Sequence, residues 1–286
     1  MIFYLDTSSI NSLVDSPNFA LISERIPKRD IVYPSVFNVA ELGATSDERR
    51  RLELLKLTKK ISGNYRPLAM PGDLLKRAVA SVSAKAKDMD HSMGPEWGGV
   101  WIALNDPSLI HEAAYYEIIA WKRKQEEWFQ GMHDRGRQKM QAYINRLSDT
   151  DRFSITSRFS SLVKLYSPEG EFVRSVVFDL ASHSGADVEI DGVLVGEIIR
   201  YSEHWRFFLT SMAYGLFSRG VKQTKFSKKR NPGSIDTQQA VYLAACDVFV
   251  TADNEQRQML RLLVPFGHKK RAIWTYDEFE CFAMKP

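Results

Sequence analysis

The sequence predicts an α/β fold built on a parallel sheet, and three observations lead to it. Short apolar runs of strand-forming residues stand near both ends of the chain, Ile2 to Leu5 and Asp30 to Tyr33, then Val248 to Thr251 and Ala272 to Trp274. These runs are continuous, without the polar–apolar alternation of a half-exposed strand, and end abruptly at polar residues, as strands buried on both faces do. Segments with helical spacing separate them, as the crossovers of a parallel sheet require.

Taken in order, the first strand stops at Asp6-Thr7-Ser8-Ser9. After the second, Pro34 suits the first turn of a helix that continues through Val39-Ala40-Glu41-Leu42. A further helix spans about Asp47 to Lys60, with Leu52, Leu55 and Ile61 as apolar anchors and Gly63-Asn64 as its stop. Near the other end, Asn231-Pro232-Gly233 forms a turn and Ser234 caps a helix from Ile235 to Ala245. The strand Val248 to Thr251 halts at Ala252-Asp253, and a helix from Glu255 to Leu263 leads to the last strand.

The middle of the chain reads as mostly helical. Helical patterns run from Leu74 to Met89, Ile110 to Leu147, Phe153 to Tyr166 and Val193 to Phe217, with Gly131 and Gly136 marking a break in the second. Asp191-Gly192 is placed at the turn of a small hairpin between Val188–Ile190 and Val193–Val195. Neither an internal repeat nor a low-complexity tract is present.

Composition narrows the class of protein. The 286 residues are 44% apolar and 26% charged, which supplies a packed core and excludes general disorder. A formal charge of +4 permits a nucleic-acid partner without demanding one. Two cysteines, Cys246 and Cys281, build neither a disulfide framework nor a zinc cluster, and fit a reducing compartment. The start MIFYLDTSSI carries an Asp in its apolar run and no basic leader, and Phe207 to Phe217 is too short to span a bilayer. A cytoplasmic protein without membrane contact is the expectation.

Asp6 and Asp253 are each the first charged residue after a buried-type strand. In open α/β sheets, ligands bind beyond the carboxyl ends of the strands, so neighbouring parallel strands would aim both acids into one crevice. Two close, partly buried anions need a cation or a proton, and oxygen-only ligands favour Mg²⁺ or Mn²⁺. Each Asp taken alone reads equally well as a turn former. Asp236 in a helix's first turn suits the helix dipole, and Glu41 reads as a solvated helix position.

The combination of D-T-S-S after strand one, Asn38-Val39-Ala40-Glu41-Leu42 and I-D-T-Q-Q-A-V-Y-L-A-A-C-D-V-F-V-T-A-D resembles the PIN-domain nucleases. Trp274-Thr275-Tyr276-Asp277-Glu278-Phe279 is similar to that family's last strand and closing helix. The resemblance implies a PIN-like sheet sandwiched by helices, formed from residues 1–62 and 231–286 and split by a mostly helical insertion, 63–230, that ends in a basic linker at 222–230. It also implies a divalent-metal-dependent endonuclease, foremost a single-strand-specific endoribonuclease, of toxin or defence type, with Mg²⁺ or Mn²⁺ as cofactor. Carried over by motif, Asp6, Glu41, Asp236 and Asp253 are the metal-binding catalytic acids. Ser8 and Thr251 match supporting hydroxyls, and Asn254 is a further neighbour. An antitoxin or other protein partner and a homodimer are implied with it.

One or two such ions would activate a water, neutralise the phosphate and stabilise the leaving oxygen. The six histidines have no HxxxH or HExxH spacing, and GxxxxGK[ST], GxGxxG and GxSxG are all absent. Lys222, Lys225, Lys228, Lys229 and Arg230 form a run without an acid, read either as a phosphate-holding loop or as a solvated linker. Trp97, Trp101, Trp121, Trp128 and Trp205 are read as core in preference to base-stacking platforms. Two other functions compete: a non-catalytic RNA- or protein-binding module on the same fold, and a haloacid-dehalogenase-like phosphohydrolase. The second expects another Asp two residues after Asp6, where Ser8 stands.

Overall fold

Strands β1 (Ile2–Leu5), β2 (Ile31–Tyr33), β3 (Val248–Val250) and β4 (Ala272–Trp274) form one parallel sheet in the order β2-β1-β3-β4 in the computed structural model. The structure describes residues 1–110, 112–157, 159, 171–183, 185–218 and 234–285. The two central strands therefore come from opposite ends of the chain, with Phe3, Tyr4 and Leu5 in register with Val248, Phe249 and Val250. Side chains alternate between the two faces of the sheet. Tyr4, Phe249 and Ile273 enter one apolar core, while Phe3, Leu5, Val32, Val248 and Val250 enter the other. Burial on both faces is the reason these runs lack polar alternation.

Helices α1 (Thr7–Asp15) and α2 (Phe19–Arg29) connect β1 to β2, and α3 (Val36–Gly43) and α4 (Glu48–Ser62) follow. Pro34 lies outside α3, whose N-cap is Ser35 in a reciprocal capping box with Asn38. Gly63 ends α4 with φ +57, a conformation that costs a glycine little.

The central segment carries α5 (Pro71–Ser83), α6 (Gly98–Asn105), α7 (Glu112–Ile144), α8 (Asp149–Ser157), α9 (Glu171–Ser182), α10 (Gly192–Tyr201) and α11 (Glu203–Leu216). Four sequence expectations are corrected here. The 33-residue α7 runs through Gly131 and Gly136, because a helical glycine costs only about 1 kcal/mol against alanine and a long helix tolerates two. Asp191 turns no hairpin; its carboxylate accepts from Leu194 N at 2.7 Å and caps α10. Buried Leu194, Val195, Ile198 and Ile199 give that helix its apolar stripe. The expected helix from Val193 to Phe217 is interrupted at Ser202, which caps α11. The expected helix from Leu74 begins earlier, at Pro71, and ends at Ser83, and most of Phe153–Tyr166 lies outside the described residues.

The last part holds α12 (Ser234–Gln239), continued by 3₁₀ turns over Ala240–Ala245, then α13 (Asn254–Leu263) and α14 (Tyr276–Met284). Ser234 is the first residue of α12, so it lies inside the helix expected to follow it.

The central segment packs directly on the sheet. Tyr4 stacks on Tyr242 at 4.8 Å, and the Tyr242 hydroxyl donates to Ala69 O at 3.0 Å. Trp205 is fully enclosed and donates its indole N–H to Leu75 O at 3.0 Å. One apolar core thus contains Tyr4 and Phe249 of the strands together with Leu74, Val195, Trp205 and Phe207. No helix of the described residues is long and apolar enough to cross a membrane.

His204, at the start of α11, is buried against His91 with its ring 5.0 Å away. Burial foremost, and then His91 and Arg271, push the His204 imidazole down to about 3, with Glu203 opposing. The folded state thus holds it neutral where the unfolded chain protonates it. Its contribution is fully present above its ordinary value near 6.5 and is lost as pH falls toward 3. Urea unfolding between pH 7 and 5 should lose stability at up to about 1.4 kcal/mol per pH unit from this group. A His204→Gln variant should flatten that dependence; an unchanged slope would refute the assignment.

Candidate active site

Asp6 directly follows β1, and its amide donates to Val250 O at 3.0 Å, which fixes the acid beside the end of β3. Asp6 is also the N-cap of α1, with Oδ1 accepting from Ser9 N at 2.7 Å. The Ser8 hydroxyl lies 2.9 and 2.7 Å from the two carboxylate oxygens and accepts from Ala252 N at 2.9 Å. Ser8 therefore fastens the first turn of α1 to the loop after β3.

The capping box at Ser35 and Asn38 starts α3 directly after β2, which carries Glu41 to the same end of the sheet. Thr7 Oγ1 donates to Glu41 Oε2 at 2.7 Å. From Asp6 a second connection runs through side chains alone. Thr251 Oγ1 lies 2.8 Å from both Asp6 Oδ2 and Gln256 Oε1, Gln256 Nε2 donates to Gln239 Oε1 at 2.9 Å, and Gln239 Nε2 donates to Glu41 Oε2 at 3.2 Å. The two acids are thus linked by polar contacts through Thr251, Gln256 and Gln239, with the single Thr251 hydroxyl proton serving either Asp6 or Gln256 at a time.

Both carboxyls lie above their ordinary pKa. Burial raises Asp6, opposed by the hydrogen bonds from Ser8, Ser9 and Thr251. Burial likewise raises Glu41, opposed by Thr7 and Lys122 and reinforced by the charge of Asp6. Each acid is therefore strained as an anion, and positive charge placed between them is stabilising.

The other expected acids are arranged differently. Asp236 is half-buried in the first turn of α12, three residues before Gln239 and hence on the same side of that helix. Asp253 is exposed and caps α13, accepting from Gln256 N at 2.8 Å, while its own amide donates to Thr251 Oγ1 at 3.0 Å. Asn254 is exposed and accepts from Arg257 at 2.7 Å. Among the described residues, no three His, Cys, Asp or Glu side chains gather as a metal-holding group. The structure brings Asp6, Glu41, Ser8 and Thr251 together, with Asp236 and Asp253 on the elements that border them. Lys222, Lys225, Lys228, Lys229 and Arg230 lie outside the described residues.

Several contributors were not read from sequence. Gln239 and Gln256 each follow an acid, Asp236 and Asp253, by three residues, a spacing that places them one helical turn onward. Thr7 stands within the D-T-S-S run. Lys122 had no local signal, since α7 brings it to Glu41 from far along the chain, at 3.7 Å.

The donor set suits a hard divalent cation, being all oxygen, with two carboxylates lifted by burial. Glu41 Oε1 is the carboxylate oxygen with no hydrogen bond from Thr7 or Gln239, which both use Oε2. No family model, curated protein or solved structure matches the chain.

Proposed function

We propose that the protein is a divalent-metal-dependent nuclease of PIN-like fold that hydrolyses single-stranded RNA. The observation that carries this reading is the pair of buried Asp6 and half-buried Glu41, set beyond the carboxyl ends of neighbouring parallel strands and linked through Thr251, Gln256 and Gln239. Mg²⁺ or Mn²⁺ bound there would supply an activated water and charge for the phosphate. Asp6 and Glu41 would hold the ion, with Asp236 and Asp253 contributing from the border. Ser8 and Thr251 keep the Asp6 carboxylate in one orientation, and Thr7 does the same for Glu41. A toxin or defence role, with a protein partner that restrains it, accords with this reading.

The test is incubation of single-stranded RNA and single-stranded DNA with the protein in Mn²⁺ and in EDTA. Cleavage of RNA that needs Mn²⁺ and falls in Asp236→Asn and Asp253→Asn is the expected result. A second reading, a non-catalytic RNA-binding module, is favoured by the Lys122 ammonium standing at Glu41. Binding of RNA without cleavage in any divalent ion would select it.

A further inference from the structure

Lys122 comes from α7, in the central segment, yet it faces an acid of the candidate site. Three contacts on one side of that helix explain its position. The Arg51 guanidinium lies over the Tyr115 ring at 5.1 Å, Ile118 packs against Gly43, and Trp121 packs on Phe37 with ring centroids 5.7 Å apart. At Gly43 a Cβ would stand 3.1 Å from Ile118 Cδ1, so the small residue permits the close crossing. Tyr115, Ile118 and Lys122 follow at spacings of three and four, which share a helix face. The docking of α7 on α3 therefore delivers the ammonium to Glu41.

At 3.7 Å the ammonium stands beyond a good hydrogen bond, an ion pair with Oε1, the oxygen that Thr7 and Gln239 leave aside. The Lys122 side chain remains 35% exposed and that of Glu41 16%, so the pair lies at the mouth of the site. An ammonium and a divalent ion at one carboxylate oxygen repel each other, so they exclude one another there. A displaced lysine at such a place has the phosphate of a bound strand as its next anionic partner.

We infer that Lys122 is the exchangeable cation of the acid pair: it competes with a divalent ion for Glu41 and, once displaced, pairs with a phosphate of the substrate strand. This rests on the nuclease reading. It makes the central segment part of the site rather than a cover over it.

The test uses the full chain with Lys122→Met, which keeps the apolar stem, and Lys122→Arg, which keeps the charge. Mn²⁺ binding is followed by electron paramagnetic resonance without RNA. Binding of a fluorescent single-stranded RNA is followed in Ca²⁺ by anisotropy. Lys122→Met should bind Mn²⁺ about tenfold more tightly, equivalent to about 1.4 kcal/mol, and RNA several-fold more weakly, with an unaltered melting temperature in the RNA-free protein at saturating Mn²⁺. Lys122→Arg should restore both affinities toward wild type. Mn²⁺ affinity that is unchanged or weaker in Lys122→Met overturns the inference, as does RNA affinity indifferent to the substitution. Cleavage is scored separately. Both binding shifts without any RNA cleavage would defeat the nuclease reading and uphold the exchange, whereas cleavage with neither shift would do the reverse.

Discussion

Asp6→Asn should lower Mn²⁺-dependent cleavage of single-stranded RNA by at least about 100-fold, the loss of roughly 3 kcal/mol of transition-state stabilisation. Asparagine keeps an oxygen that can accept from Ser9 N, and Thr251 Oγ1 can turn to accept from the new amide, so the cap of α1 survives. What disappears is the negative charge. That charge is buried and its pKa raised, so its removal also relieves a cost in the metal-free fold.

The sign of the stability change follows from the same shift. A carboxyl raised in the folded state binds more protons there than in the unfolded chain, so stability falls as pH rises through the window above its ordinary value of 3.8. At neutral pH in EDTA, Asp6→Asn should therefore melt no lower than wild type. Mn²⁺ should raise the melting temperature of wild type and leave that of the variant unmoved. Thermal melts with and without Mn²⁺, run beside the cleavage assay, separate loss of chemistry from loss of fold. Full activity in a folded Asp6→Asn protein would sink the assignment.

Trp205→Ala should destabilise the whole chain by about 3–5 kcal/mol. The indole is fully enclosed, and its N–H reaches Leu75 O, joining α11 to α5. Both helices share one core with Tyr4 and Phe249, so the loss should not be confined to the central segment. Urea unfolding followed by far-UV circular dichroism and by protection of the β1 and β3 amides should show a single transition moved to lower urea. Strand amides that keep wild-type protection while the helices melt would refute this coupling. The same packing predicts that removing residues 63–230 as a block exposes one face of the sheet, which a PIN-like domain assembled only from the two ends would not suffer.

Legibility from sequence followed the reach of the interactions. The four strands were readable because burial on both faces leaves continuous apolar runs such as Ile2–Leu5 and Val248–Val250, a local signature. Capping was readable only in part. Pro34 and Ser35 are adjacent residues that both suit a helix start, and it is Ser35, in a capping box with Asn38, that caps α3. Asp191-Gly192 carries the composition of a turn and of a helix start alike, and the stripe from Leu194 to Ile199 decides between them. In α7 the two glycines are outweighed by the length of helix on either side.

At the site, residues within a few positions of each acid establish that Asp6 and Asp253 follow strands and that Asp236 opens a helix. How the acids stand relative to one another depends on long-range pairing. Parallel pairing of β1 with β3 joins chain segments more than 240 residues apart and sets Thr251 against Asp6. The distinction between Asp6, buried and held by three neighbours, and Asp253, exposed as a helix cap, is likewise a matter of packing. So is Lys122 beside Glu41, which depends on one helix crossing another where Gly43 leaves room. Strand and helix signals are short-range and written along the chain, whereas charge pairing in a buried site is set by which surfaces the core brings together.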